Sequence, residues 1–341
     1  MKKLLCIFLL LISKPTICFA EEQSISDLFD IVKSAVVIVY TVKYDAKQDS
    51  KGKLVSLPSL GSGVLVDDQG HIVTAAHVVQ TADSVRVAFI GDRRFDAKII
   101  SSDPINDVAL LKIEEIPDDV TPIALADSDK VRIGDRAFIV GAPYGLDHSL
   151  SVGYISSRHK DGIKNNPSIK TELFQTDAAI NTGNSGGPMF NMQGKIIGIV
   201  SSLLTRSGGF EGLGFIVTSN AAKEVLFNRR PTWTGLEGVL ITGELAKGLN
   251  VPRKHGYLVQ KVASGSPADE LGIEAGKITI KIQGISLLIG GDIILAVDNI
   301  DVSPITPSAI QEHLDSMKPG QEYTVSILRA GTVLKLKAQA Q

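Results

Sequence analysis

The chain has 341 residues, enough for about two or three domains whose cores need neither metals nor disulfides. Apolar residues make up 44%, charged residues 21%, and the formal net charge is -2, an ordinary globular balance. With aromatic residues at 5% and no basic run, nucleic acid is excluded as the expected partner.

The first twenty residues, MKKLLCIFLLLISKPTICFA, place Lys2 and Lys3 before an apolar run from Leu4 to Ile12, and Ala20 before the charged pair Glu21-Glu22. That run is too short to cross about 30 Å of hydrocarbon as a helix. Residues 1–20 are therefore expected to be a cleaved secretory signal, with a retained anchor as the alternative. Export implies a periplasmic location, or else the external medium. Both cysteines, Cys6 and Cys18, lie in this segment, so the remaining chain can form no disulfide.

A short amphipathic start, SISDLFDIVKSA, leads into a series of brief strands. GSGVLV runs into the turn DDQG, HIVTAAHVV follows, and SVRVAFI and RRFDAKII alternate apolar Val85, Val87, Phe89 and then Phe95, Ala97, Ile99. A second set covers Arg136 to Val140, Ser149 to Ser156, Leu173 to Asp177, Lys195 to Val200 and Gly214 to Val217. The spacing predicts a mainly β protein with two antiparallel barrels or sandwiches before residue 220.

SNAAKEVLFN predicts a helix capped by Ser219 or Asn220, and RRPTW, with Pro231, a linker. A smaller α+β module follows. Ser266 caps a helix start with Pro267 in its first position, and TPSAIQEHLDSMKPG predicts a second helix with Ile310, Leu314 and Met317 on one face. YTVSILR and TVLKLK close the chain across an Ala330-Gly331 turn. Within this module, KITIKI and ISLLI flank Gln283-Gly284, which predicts an inserted hairpin over about 274–289 with Ile278, Ile280 and Ile282 on one packed face.

The segment NTGNSGGPMF crowds small residues around Ser185. Such a loop is an ordinary turn unless a base and an acid join the serine. Of six histidines, His77 in TAAHVV ends an apolar strand where an imidazole needs a reason to be, whereas His148, His159, His255 and His313 sit in polar stretches and His71 adjoins a turn. Asp107, in NDVALLKI, is a carboxylate at the mouth of a buried run and needs a hydrogen-bond donor there; Asp103, beside Pro104, suits a turn. The order His77, Asp107, Ser185 is the chymotrypsin order of a Ser-His-Asp triad.

Together, GSGVLVDDQGHIVTAAHVV, SDPINDVALLKI, VGAPYGL, DAAINTGNSGGPMFN and GLGFIVTSN resemble the successive motifs of the HtrA (Deg) family of trypsin-like serine proteases, over about residues 25 to 341. The resemblance implies a chymotrypsin-like double β-barrel over 21–229 and one PDZ domain over 230–341. It implies trimer-based homo-oligomers that degrade unfolded or damaged proteins without ATP, and neither cofactor nor metal. The backbone N–H groups of Gly183 and Ser185 are expected to form the oxyanion hole. Ala179, six residues before the nucleophile, is expected at the base of the substrate pocket, with Ile199, Val200 and Ser201 along its wall. GLEGVL resembles the family's loop for a peptide carboxyl terminus, which implies that Leu236, Glu237, Gly238 and Val239 receive the carboxylate by strand addition, although its glycines equally suit a hairpin turn.

Two departures stand out. Thr182 occupies a place where the family usually has proline, and the 44–60 loop is short and polar. Asn184 is neutral and cannot pair with a newly cut amino terminus, so switching by loop order is expected in place of zymogen cleavage. A holdase that binds unfolded chains in the same cleft, or a PDZ scaffold, is the competing reading; the intact triad and GNSGG loop disfavour a scaffold with an inactive protease domain.

Overall fold

The computed structural model describes residues 23–48, 54–142, 148–160, 162, 171–203, 210–282 and 284–340. The proposed leader 1–20, and part of the VGAPYGL motif, lie outside the described residues.

The chain enters through α1 (Ile25–Val32), closed by a capping box in which Ser24 and Asp27 satisfy each other's backbone N–H groups. Eight residues make a marginal helix in isolation. Leu28 and Val32 fix it by burying almost completely in the barrel core.

Six strands close the first barrel: β1 (Val36–Gln48), β2 (Leu54–Leu65), β3 (His71–Thr74), β4 (Ser84–Phe89), β5 (Arg93–Asp103) and β6 (Val108–Lys112), in the order β1-β2-β3-β6-β5-β4. TAAHVV does not remain a strand to its end. After Thr74 the chain turns into the single-turn helix α2 (Ala76–Val79), which carries His77.

The second barrel contains β7 (Arg136–Gly141), β8 (Ser149–His159), β9 (Leu173–Thr176), β10 (Pro188–Asn191), β11 (Ile196–Leu203) and β12 (Gly214–Thr218), closed in the order β10-β11-β12-β9-β8-β7. Its stacked Phe138 and Phe190 belong to the same apolar cluster as Val36, Leu65 and Leu111 of the first barrel, so one continuous core joins the two. Helix α3 (Ser219–Lys223) is capped by Thr218, one residue before the expected caps, and continues as a π-helical turn from Glu224 to Arg229.

The remaining strands form two sheets, one six-stranded, of β13 (Leu236–Thr242), β14 (His255–Val262), β17 (Ile293–Val297), β18 (Ile300–Asp301), β19 (Glu322–Arg329) and β20 (Thr332–Gln339), and one two-stranded, of β15 (Ile278–Ile282) and β16 (Ile285–Ile289). The main order is β13-β14-β17-β19-β20, which leaves β13 at an edge. Helices α4 (Gly243–Gly248), α5 (Pro267–Glu270) and α6 (Pro307–Asp315) complete the module. Ser266 caps α5 with Pro267 in the first turn. No residue of α6 is fully buried, and Ile310, Leu314 and Met317 join no core cluster among the described residues.

β15 and β16 pair antiparallel from Ile278↔Ile289 to Ile282↔Ile285. Only part of the apolar face packs: Leu287 is buried, Ile280 is half-buried, and Ile278, Ile282 and Ile285 are exposed. The Gln260 side chain fastens the pair to the module by donating to the Leu288 carbonyl at 2.9 Å and accepting its N–H at 2.8 Å. Among the described residues, no helix is long and apolar enough to cross a membrane.

Candidate active site

The first barrel brings His77, on the turn after β3, and Asp107, between β5 and β6, together. His77 Nδ1 lies 2.8 Å from Asp107 Oδ1 and 3.0 Å from Oδ2, and the His77 backbone N–H donates to Oδ1 at 3.1 Å. Asp107 occupies the left-handed region at φ 53. Asp103 makes that turn possible: its Oδ1 accepts the N–H groups of Ile105 and Asn106, and Oδ2 accepts the Asn106 side-chain amide. Asp103 is thus the turn residue that presents the acid.

Burial pulls the His77 ring below its ordinary pKa, but the hydrogen bond and the charge of Asp107 outweigh it, and the net displacement is upward from 6.5. With Nδ1 committed to the carboxylate, Nδ1 carries the proton in the neutral ring and Nε2 is left as the acceptor.

Ser185 lies in the loop before β10. Its hydroxyl reaches the Ser201 carbonyl at 3.5 Å and makes no hydrogen bond to His77. Nucleophile and base are therefore not engaged in this structure; such bonds are often long before substrate arrives. The N–H groups of Gly183 and Ser185 donate to no described residue, while their neighbours do: Asn184 N–H to Asn181 O at 3.0 Å and Gly186 N–H to Val200 O at 2.7 Å. Two open donors in the loop that carries the hydroxyl are what a developing oxyanion requires.

The loop is anchored on the first barrel. Gly186 has φ 81, and a Cβ there would come within 2.2 Å of Thr74 Oγ1 and 2.3 Å of the Ser62 carbonyl, so no other residue fits. Ser62 is completely buried. Its hydroxyl donates to Gly183 O at 2.7 Å and accepts the Ala142 N–H at 2.9 Å, and its N–H donates to Ser185 O at 2.8 Å. Sequence reasoning missed this residue; its only signal was the GSG in the last part of β2. Asn184 is 5% exposed and its Oδ1 has no hydrogen-bond partner among the described residues.

In the expected pocket wall, Ile199 and Val200 have no exposed surface and belong to the two apolar clusters. The alternation of β11 leaves Ser201 on the site side. Its hydroxyl donates to Asp107 Oδ2 at 2.5 Å, a bond absent from the sequence reading. Ala179 is exposed between the buried Ala178 and Ile180. The nearby acid Asp177 has Oδ1 committed to the Tyr154 N–H at 2.6 Å.

Leu236, Glu237, Gly238 and Val239 all lie in β13 and at the start of its pairing with β14, with a bulge between Glu237 and Gly238. The Gly238 N–H is already taken by the Tyr257 hydroxyl at 2.9 Å, which removes one of the four expected carboxylate donors in this conformation. Burial first of all raises the Tyr257 pKa, so the phenol stays neutral. Among the described residues, no group of His, Cys, Asp and Glu side chains converges as a metal site would require.

The chain matches the trypsin-like peptidase domain family over residues 61–199 and the PDZ domain family over residues 233–339. Curated relatives include the periplasmic serine endoprotease DegP of Escherichia coli (strain K12), 33% identical over 298 residues, which are 85% of this chain and 58% of that protein. A probable periplasmic serine endoprotease, DegP-like, of Ectopseudomonas mendocina (strain ymp) is 34% identical over 294 residues, 84% of this chain and 57% of that protein. The chain thus spans little more than half the length of the curated relatives it matches. Among solved structures, the HtrA-type protease AlgW with decapeptide matches with a TM-score of 0.54 and 28% identity over 93% of this chain and 98% of that one.

Proposed function

The chain belongs to the HtrA (Deg) family, a trypsin-like peptidase domain followed by a PDZ domain, and on that premise we propose that it is a serine endopeptidase acting on unfolded or damaged proteins. The observation that carries the reading is the His77–Asp107 pair beside Ser185 and the two open N–H donors of Gly183 and Ser185.

In this mechanism the Ser185 hydroxyl swings from Ser201 O to His77 Nε2 as substrate enters. Nε2 takes the hydroxyl proton while Oγ attacks the scissile carbonyl, and the carbonyl oxygen becomes an anion. The Gly183 and Ser185 amides stabilise that anion, each worth about 3 kcal/mol or more in comparable sites. Imidazolium then returns the proton to the leaving amine, breaking the peptide bond and leaving an acyl-enzyme. Water, deprotonated by the same ring, releases the acid and restores Ser185. Asp107 holds the tautomer and balances the imidazolium charge throughout.

The PDZ module takes peptide carboxyl termini as an added strand on the open edge of β13, with Leu236, Glu237 and Val239 nearest the carboxylate. Cleavage of residues 1–20 on export to the periplasm, and trimer-based assembly, complete the proposal; the first rests on the charged start and short apolar run of that segment, the second on the family resemblance. The test compares wild type with Ser185→Ala. Labelling by a fluorophosphonate probe and digestion of casein are expected for wild type only. Labelling of the alanine variant at the wild-type rate would remove Ser185 as the nucleophile.

A further inference from the structure

The helix that carries His77 is a single turn with no side-chain cap at its start. Four residues cannot hold a helix by themselves, so its position is set by what its ends are bonded to. At the start, the His77 N–H is bonded to Asp107. At the other end sits Gln80, three residues beyond His77 and 6% exposed.

Gln80 uses every part of its amide. Nε2 donates to Thr234 Oγ1 at 3.2 Å and to the Leu236 carbonyl at 3.1 Å, and Oε1 accepts the Ser102 hydroxyl at 2.7 Å. Its backbone N–H closes α2 on Ala76 O at 2.8 Å, and its backbone carbonyl accepts the Trp233 indole N–H at 2.9 Å. One side chain therefore ties its own segment to two others. Ser102 precedes Asp103, whose carboxylate folds the turn that presents Asp107. Thr234 and Leu236 begin the β13 segment at the open edge of the PDZ sheet.

We propose that Gln80 is a positioning residue for the proposed hydrolysis, holding the His77 turn against the Asp107 turn and joining both to the first residues of the peptide-binding edge of the PDZ module. The chemistry favours such a node. A buried amide whose donors and acceptor are all paired admits few other arrangements, because breaking one bond strands a polar group away from water. A peptide that shifts Leu236 must move the Gln80 amide or take away one of its three side-chain bonds, and either outcome acts three residues from His77. A second contact lies nearby: Ser264 N–H donates to Asp83 Oδ1 at 2.5 Å, so the segment after α2 is tied to the same module.

The inference deepens the reading of Ser185, His77 and Asp107 as a triad, and its test separates the two. Full-length wild type, Gln80→Met, Ser102→Ala and Thr234→Val are compared in two ways. The first follows the His77 titration by NMR of carbon-labelled histidine, which needs no turnover. The second follows hydrolysis of a short chromogenic peptide with and without a second peptide bearing a free carboxyl terminus. Gln80→Met should move the His77 midpoint toward its ordinary value, lower kcat about tenfold with KM nearly unchanged, and erase any response of kcat to the second peptide. Ser102→Ala and Thr234→Val, which remove one arm each, should give smaller shifts in the same direction and serve if Gln80→Met does not fold. A wild-type His77 titration in all folded variants overturns the proposal. A wild type that is not labelled at Ser185 sinks the protease reading instead, and the titration still decides the role of Gln80.

Discussion

Ser201 donates its hydroxyl to Asp107 Oδ2 at 2.5 Å, on the carboxylate whose Oδ1 lies 2.8 Å from His77 Nδ1. Hydrogen bonds to ionised groups are worth more than neutral ones, about 1.5–3 kcal/mol. Ser201→Ala should therefore lower kcat by about tenfold, through a loosened Asp107, and leave KM nearly unchanged. A rise in KM at constant kcat would show that Ser201 serves substrate binding and not the acid.

The rate should rise with pH, with a midpoint above 6.5, because Asp107 holds the His77 pKa up and only neutral imidazole accepts the serine proton. Stability runs the other way. The charged pair strengthens the fold fully below the unfolded value of about 6.5 and loses that contribution as pH climbs through the raised folded value. A kcat/KM profile read beside thermal melts checks both signs; a midpoint below 6.5 would contradict the pairing.

Cleavage should follow small aliphatic side chains. Ala179 offers no charge, and the nearest acid, Asp177, has one oxygen committed to the Tyr154 backbone. Sequencing the ends of digested casein tests this, and a preference for Lys or Arg before the cut would overturn it.

A peptide with a free carboxyl terminus should bind the PDZ module more tightly than its amidated form, since the recognition proposed on β13 rests on backbone N–H groups meeting a charge. Removing the Tyr257 hydroxyl by Tyr257→Phe frees the Gly238 N–H and should tighten binding of the free acid. Fluorescence anisotropy distinguishes these outcomes, and equal affinity for acid and amide would exclude carboxylate recognition.

Replacing residues 275–288 with a Gly-Ser linker should lower the melting temperature, because it removes the buried Leu287 and strands the Gln260 amide, which pairs with both polar groups of the Leu288 backbone. Hydrolysis of a short peptide should survive. An unchanged melting temperature would show that the hairpin contributes nothing to packing.

The sequence by itself determined the mainly β architecture, since alternation such as Val85, Val87, Phe89 allows only one face of a strand to be buried. It also singled out His77, Asp107 and Ser185, because an imidazole and a carboxylate beside apolar runs need polar partners. What it could not carry was any contact between distant segments. Ser62 looks like an ordinary strand serine, yet 121 residues separate it from Gly183, whose carbonyl it holds. Gln80 looks like a solvent-facing residue until a linker 153 residues later closes over it. Ile199 and Val200 belong to the expected pocket by position alone; the closed second barrel buries Val200 in its own core, and the joining of the two barrels buries Ile199 in the shared one. His77 sits on a helical turn because the chain must bend away after Thr74 to bring the ring to Asp107, a demand of tertiary closure that no local propensity records.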